Sequence, residues 1–234
     1  NVSIIIPFFN EQNRILKSLK ILKNYLIKNP KTEVILVNDG STDLTNKFIC
    51  KFKNKYKNKL KIKYIYYKKN IGKGYAIKKG ILNSKNNWIL ICDADMSVLP
   101  NQLNIWFKKK FINNNNTAYF GSRSHKYSKI SSTFLRELLG IFFKILIKIL
   151  FGIKIKDTQC GFKLFNSKYI KSIIKNLKSY RFSFDVELVL LLKKKNISIK
   201  ELPLMWNHKE GSSLNIILDT PKMFFDIIKI KLNS

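Results

Sequence analysis

Residues 33–43 read Glu33-Val34-Ile35-Leu36-Val37-Asn38-Asp39-Gly40-Ser41-Thr42-Asp43. An unbroken aliphatic run that gives way at once to a polar turn marks a strand covered on both faces, as in a parallel sheet flanked by helices. The turn residues that follow also supply a helix start. The same reading applies upstream, where the apolar run Val2–Pro7 leads to Asn10 and Glu11, and downstream, where Trp88–Cys92 leads to Asp93-Ala94-Asp95. Between these strands, Ile15–Lys28 carries Ile15, Leu16, Leu19, Leu22 and Leu26 at helical spacing, and Gly72–Leu82 reads as a second helix. Lys61–Tyr67 alternates like a further strand. Strands alternating with helices predict an α/β fold with a mostly parallel sheet. In such sheets ligands bind beyond the carboxyl ends of the strands, which is where Glu11, Asp39, Asp93 and Asp95 fall.

After Pro100 the rhythm loosens. Tyr119–Arg123, Phe162–Phe165 and Ser198–Pro203 are predicted strands, and Phe184–Lys195 a helix. Phe134–Ile155 reads as a long amphipathic helix with Leu135, Leu138, Leu139, Phe142 and Leu146 on one face and Lys144 and Lys148 one turn apart. Pro221–Leu232, with Met223, Phe224, Phe225, Ile227 and Ile228, reads as a second. Both patterns suit helices lying in a lipid headgroup layer, and both also suit packing on a core. No stretch reaches the roughly 18 uncharged apolar residues of a spanning helix. No repeat or long linker divides the chain, so one domain over 1–234 is expected, with residues 1–98 as a nucleotide-binding half and 99–234 as an acceptor half.

The formal net charge is +31 over 234 residues. Such an excess points to anionic partners. It is almost entirely Lys and is spread along the chain together with Asn, which is the signature of a compositional bias that fills solvated surface. The four Arg residues, Arg14, Arg123, Arg136 and Arg181, stand outside that bias. Diffuse Lys, aromatics placed within apolar runs, and no RRM, KH or zinc pattern argue against a nucleic acid partner. Cys50, Cys92 and Cys160 are odd in number and widely spaced, which predicts reduced thiols in a cytosolic setting. The chain begins at Asn1 rather than Met, which leaves room for an upstream anchor.

Asp93 and Asp95 are two carboxylates one residue apart beyond a buried strand. Such a pair can converge on Mg²⁺ or Mn²⁺, hard cations that take oxygen ligands and share them with phosphates. The pair Gly72 and Gly74 opens a helix, but Ile77 stands where a dinucleotide fingerprint needs Gly. The two glycines are therefore expected to admit backbone close to a nucleotide. Arg123 and Arg136 present guanidinium forks of the kind that match phosphate oxygens.

Taken together, Pro7-Phe8-Phe9-Asn10-Glu11, Val37-Asn38-Asp39-Gly40-Ser41-Thr42-Asp43, Asn70-Ile71-Gly72-Lys73-Gly74 and Asp93-Ala94-Asp95 resemble the family 2 glycosyltransferases of GT-A fold. The later blocks Gly121-Ser122-Arg123, Asp157–Phe165 and Phe184-Asp185-Val186-Glu187-Leu188 resemble the polyprenyl-phosphate sugar transferases among them, nearest the dolichyl-phosphate β-glucosyltransferases. The resemblance spans roughly Val2 to Leu214. It implies that Pro7, Phe8 and Glu11 line the nucleobase and ribose pocket, that Asp39 meets the base, and that Lys73 lies near the nucleotide. Asp93 is implied at ribose or metal, and Asp95 is the main metal ligand. Arg123, Arg136 and Lys163 are implied around the acceptor phosphate, and His208 or Lys209 at the diphosphate.

Asp95, Asp157, Asp185 and Glu187 are the candidate catalytic acids. Asp185 and Glu187 lie two apart on one helix and so face different ways. Ser97 departs from relatives that carry Gln there, which leaves the third protein metal ligand open. The Q-x-x-R-W block of many polysaccharide synthases is absent.

The implied reaction is inverting transfer of a hexose, glucose from UDP-glucose or mannose from GDP-mannose, to a polyprenyl phosphate such as dolichyl phosphate. It would take place at a membrane surface, against which the amphipathic helices Phe134–Ile155 and Pro221–Leu232 of the acceptor half are expected to lie, with a divalent metal. The implied location is a cytoplasmic membrane face, of the endoplasmic reticulum in a eukaryote or the plasma membrane in a bacterium. Transfer of mannose or another sugar to bacterial undecaprenyl phosphate is the alternative within the same class, and a catalytically inert sugar-nucleotide binder is one outside it.

Overall fold

A computed structural model describes residues 1–131, 145, 147–181, 183–207 and 216–232, with side chains left undescribed at 130, 131 and 216–223. Its centre is a seven-stranded sheet. In chain order the strands are β1 (Val2–Phe8), β2 (Glu33–Asp39), β3 (Lys61–Tyr67), β4 (Trp88–Ile91), β5 (Thr117–Gly121), β7 (Lys163–Asn166) and β8 (Ser198–Leu202). They lie in the order β3-β2-β1-β4-β7-β5-β8. Only β7 runs antiparallel to its neighbours. A two-stranded parallel ribbon joins β6 (Lys129–Ser131) to β9 (Met205–Asn207).

The aliphatic runs are explained by what covers them. In β1, Ile4, Ile6 and Phe8 face one side, against Ile15, Leu19, Leu22 and Leu26 of α1 (Ile15–Lys28) and Ile49 and Phe52 of α2 (Thr45–Tyr56). Ile5, with Ile35 and Val37 of β2, faces the other side, against Ala76, Ile77 and Ile81 of α3 (Lys73–Leu82). Alternate residues thus meet apolar partners on both faces, as the side-chain period of two requires. Trp106 of α4 (Asn101–Lys108) packs on the first face. The second also takes α5 (Ser167–Ile174) and α6 (Phe184–Lys194).

The crossover from β3 to β4 carries the chain past β1 to its other edge. The β1–β4 boundary is therefore the point where strand order reverses, and the crevice at its carboxyl end is the expected ligand position. Loops there are tied together. The Asn10 amide donates to Ser41 Oγ at 3.0 Å, the Glu11 amide to Thr45 Oγ1 at 2.7 Å, and the Thr42 amide to Asn10 Oδ1 at 2.9 Å.

Two sequence expectations change at the C-terminal end. The helix read as Phe134–Ile155 stops at residue 151, because Gly152 adopts φ +60 and closes it in the left-handed conformation that favours glycine. Residues 132–144 and 146 of that segment, with Leu135, Arg136, Leu138, Leu139, Phe142, Lys144 and Leu146, lie outside the described residues. The terminal helix α7 (Ile216–Leu232) begins earlier than expected, and its apolar residues are divided. Ile227 is buried against the second face, whereas Phe225 is 70% exposed. Among the described residues no helix is long and apolar enough to cross a membrane.

Candidate active site

Glu11 is buried just beyond β1, and its carboxylate takes Arg14 Nη2 at 2.6 Å and Nε at 2.7 Å. Burial raises the Glu11 pKa, Arg14 opposes that, and the nearby Asp95 and Asp93 charges add to it. Three carboxylates from the β1 and β4 ends thus share one electrostatic environment. The Glu11–Arg14 spacing is the i,i+3 ion-pair spacing, so Arg14 was a legible partner that sequence reading left unassigned.

Asp39 closes β2. Its Oδ1 accepts the Ile71 amide at 2.9 Å, and its Oδ2 accepts the Gly72 amide and Asn70 Nδ2, each at 2.9 Å. The carboxylate therefore folds the loop before α3 against the sheet. Burial nevertheless raises its pKa, opposed by those amides.

The glycines of that loop serve a different approach from the one expected. A Cβ on Gly72 would lie 2.2 Å from the Tyr180 carbonyl oxygen, and one on Gly74 would lie 2.6 Å from Phe184 Cβ. The Tyr180 carbonyl also accepts the Gly74 amide at 2.7 Å. The close backbone approach is thus made by the chain's own segment leading into α6.

Lys73, the first residue of α3, extends to Asp93 with Nζ 2.6 Å from Oδ1. Burial pushes the Asp93 pKa up, but the Lys73, Lys163 and Arg123 charges together outweigh it and hold the carboxylate below its usual range. The converse acts on Lys73, whose pKa is raised by Asp93 and Asp185 against burial. Asp93 also lies against Gly161, where a Cβ would stand 1.9 Å from its Oδ2. Asp95, two residues on, uses Oδ1 to accept the Ser97 amide at 2.8 Å.

Four later residues prove to be two ion pairs. Arg123, expected at an acceptor phosphate, donates Nε and Nη2 to Asp157 at 2.8 and 2.9 Å, and its amide also donates to Oδ2 at 2.8 Å. Asp157, expected as a catalytic acid, is 1% exposed, and its own amide is held by Glu201 Oε1 at 3.0 Å. It is a clamp for Arg123, whose guanidinium lies 5.9 Å from the Trp206 ring centroid.

Lys163, expected at the acceptor phosphate, is 1% exposed, salt-bridged to Asp185 and flanked by the Phe120 and Phe184 rings. It is enclosed in the core, where its charge also acts on Asp93. Asp185 is correspondingly a partner for a buried cation. Glu187 faces elsewhere and accepts the Lys178 and Ser179 amides at 3.0 and 2.6 Å. His208 and Lys209 lie outside the described residues.

Beside Asp93 and Arg123 opens a cleft lined also by Ser97, Val98, Gln159, Cys160, Gly161 and Trp206. Sequence reading gave Gln159 no role of its own, although it sits in the Asp157–Phe165 block. Pro7 and Phe8 end β1 at the same side of the sheet; Phe8 is 1% exposed and so packs in the core rather than lining an open pocket. Cys50, Cys92 and Cys160 are free. Burial and the Asp157 charge push the Cys160 thiol up to about 12, so it stays protonated at neutral pH.

Replacing Arg123 by Lys keeps the charge and removes the two-point grip on Asp157. Transfer activity should fall about ten- to a hundredfold, the equivalent of one or two charge-assisted hydrogen bonds. Steady-state kinetics on the purified variant checks this; activity within twofold of wild type would mean that the fork is dispensable.

These features define a crevice of carboxylates and cations at the reversal point of a mostly parallel sheet, where sheets of this kind bind their ligands. Residues 3–174 match the model of glycosyl transferase family 2, and the chain belongs to that family. It is 34% identical to a dolichyl-phosphate beta-glucosyltransferase of Trichomonas vaginalis, over 98% of this chain and 72% of the relative. It is also 34% identical to the dolichyl-phosphate beta-glucosyltransferase of Homo sapiens, over 99% of this chain and 75% of that protein. Among solved structures, the glucosyl-3-phosphoglycerate synthase of Mycobacterium tuberculosis, in complex with Mn²⁺, UDP-glucose and glycerol 3-phosphate, shares the fold. Its TM-score is 0.68 at 13% identity, over 100% of this chain and 79% of that one. The chain is a GT-A glycosyltransferase.

Proposed function

We propose that this enzyme transfers glucose from UDP-glucose to dolichyl phosphate, with inversion at the anomeric carbon, at the cytoplasmic face of a membrane. The observation that carries the proposal is the near full-length likeness to dolichyl-phosphate beta-glucosyltransferases of distant organisms. One transferase domain over 1–234 is proposed, with the donor held by the half up to residue 98 and the acceptor by the remainder.

In this reading the donor lies across the ends of β1, β2 and β4. Glu11 and the loop fixed by Asp39 border its nucleoside, and Lys73 reaches its diphosphate. Asp93 and Asp95 offer hard oxygen donors suited to Mg²⁺ or Mn²⁺. Asp95 is the principal one, since its Oδ2 takes no hydrogen bond among the described residues, whereas Asp93 already pairs with Lys73. A divalent ion bound there would neutralise charge on the departing diphosphate.

The acceptor explains why no dedicated base is needed. Asp157 and Asp185 are each engaged by a cation, and Glu187 is bound to backbone amides. A phosphate monoester has a second pKa of about 6 and arrives largely ionised at neutral pH. Its oxygen can attack the anomeric carbon directly while the bond to UDP breaks on the opposite face. Because UDP-glucose is the α anomer, the product is the β-linked glucosyl phosphate. Arg123, clamped by Asp157 beside the cleft, is placed by this reading at the acceptor phosphate, and catalysis is mainly positioning and charge stabilisation.

Exposed Ile145, Ile149, Phe225 and Leu232, with Lys148, Lys229 and Lys231 among them, support contact of this end with anionic lipid. Lys231 Nζ stands 5.7 Å from the Phe151 ring centroid, so the two elements that carry these residues are neighbours.

An acceptor panel tests the proposal. With UDP-glucose and Mn²⁺ in detergent, dolichyl phosphate should be glucosylated, while dolichol and a water-soluble phosphomonoester should not. Equal transfer to the soluble phosphomonoester would contradict a lipid acceptor, and transfer from GDP-mannose alone would favour the mannosyl alternative.

A further inference from the structure

The Lys163–Asp185 ion pair is buried, yet it stands close enough to the pair Lys73–Asp93 for charges of the two pairs to act on one another. Two close approaches lock the pairs together. Continuing the β4–β7 ladder past Ile91↔Lys163 sets Asp93 opposite Gly161, where the carboxylate fills the space a side chain would need. On the other side, Gly74 packs its Cα against Phe184, the residue before Asp185. Asp93 therefore stands opposite the residue two before Lys163, and the residue after Lys73 packs on the residue before Asp185. The four charges alternate in sign: Lys73 is influenced by Asp93 and Asp185, Asp93 by Lys73 and Lys163, and Asp185 by Lys163, Lys73 and Asp93.

A buried ion pair is seldom retained for stability, because desolvating two charges offsets most of their attraction and an apolar pair of similar volume is often as stable. We propose that Lys163 and Asp185 are positioning residues, a charged floor that holds Lys73 and Asp93 at the separation the donor diphosphate requires. The inference rests on the donor site proposed above and assigns to that site two residues that touch neither donor nor acceptor.

The test separates stability from positioning. In the full chain, Lys163→Met combined with Asp185→Leu keeps volume and removes both charges. The thermal midpoint should change by only a few degrees, about the spread expected for a neutral replacement. UDP affinity in Mn²⁺, measured by calorimetry, should nevertheless fall about tenfold or more. Should that variant not fold, Lys163→Gln combined with Asp185→Asn, which removes both charges while keeping polar partners for each other, should show the same loss of UDP affinity. A folded variant of either kind with wild-type UDP affinity would overturn the positioning role and leave the proposed function standing. Absence of UDP binding by the unaltered chain would overturn both.

Discussion

Replacing Asp95 by Asn should lower glucosyl transfer by about a hundred- to a thousandfold with little change in stability. The substitution keeps the oxygen that accepts the Ser97 amide, so the turn after β4 is preserved. It removes the carboxylate charge best placed to hold a divalent cation. Losing such charge stabilisation in a transition state is worth several kcal/mol, and each 1.36 kcal/mol is about a tenfold change in rate. Two measurements check it: the initial rate at saturating UDP-glucose, and the Mn²⁺ concentration giving half-maximal rate, which should rise. A variant within threefold of wild type in both would place the metal, or the catalytic charge, elsewhere.

Gly161→Ala should be nearly as damaging for a steric reason. An alanine Cβ would stand 1.9 Å from Asp93 Oδ2, 2.1 Å from its Cγ and 2.4 Å from its Oδ1. Every terminal atom of the carboxylate is hit, so no small rotation relieves the clash. Asp93 must swing away and give up its 2.6 Å contact with Lys73, or β7 must shift against β4. Overpacking of this kind costs about 1–3 kcal/mol of stability. Activity should fall about a hundredfold, the scale of removing one preorganised electrostatic contact. Unfolding in urea and transfer kinetics on the same preparation check the two effects; full activity would show that Asp93 functions without its position against β7.

Much of the fold was legible because the relevant signals are local. The runs Val34–Val37 and Ile4–Ile6 are buried on both faces, and that shows as unbroken aliphatic sequence. The helix α1 was readable to the residue because five apolar positions repeat along it. The helices α4 and α5 have eight residues each, barely two turns, which is too short for a period to stand out from the Lys and Asn background. The ribbon β6–β9 has three residues per strand and pairs positions some 76 apart in sequence, a pairing that no local pattern encodes.

The same divide runs through the site. That Asp39, Asp93 and Asp95 gather at the strand ends follows from topology alone. The partners of Arg123 and Lys163 do not, because Asp157 lies 34 residues from one and Asp185 lies 22 from the other. Sequence reading therefore gave these four charges separate roles on substrate, whereas folding neutralises them in pairs. Gly72 and Gly74 show the same limit: a glycine announces close approach but not what approaches, and here it is Tyr180 and Phe184.

The most direct test of the central claim follows the sugar itself. UDP-glucose labelled in the hexose is incubated with dolichyl phosphate, Mn²⁺ and the purified enzyme, and the lipid product is extracted and its anomeric configuration read by NMR. The account predicts label in the lipid phase as a β-linked glucosyl phosphate, lost with Asp95→Asn. An α-linked product would contradict single-step inversion, and label confined to the aqueous phase would contradict dolichyl phosphate as the acceptor.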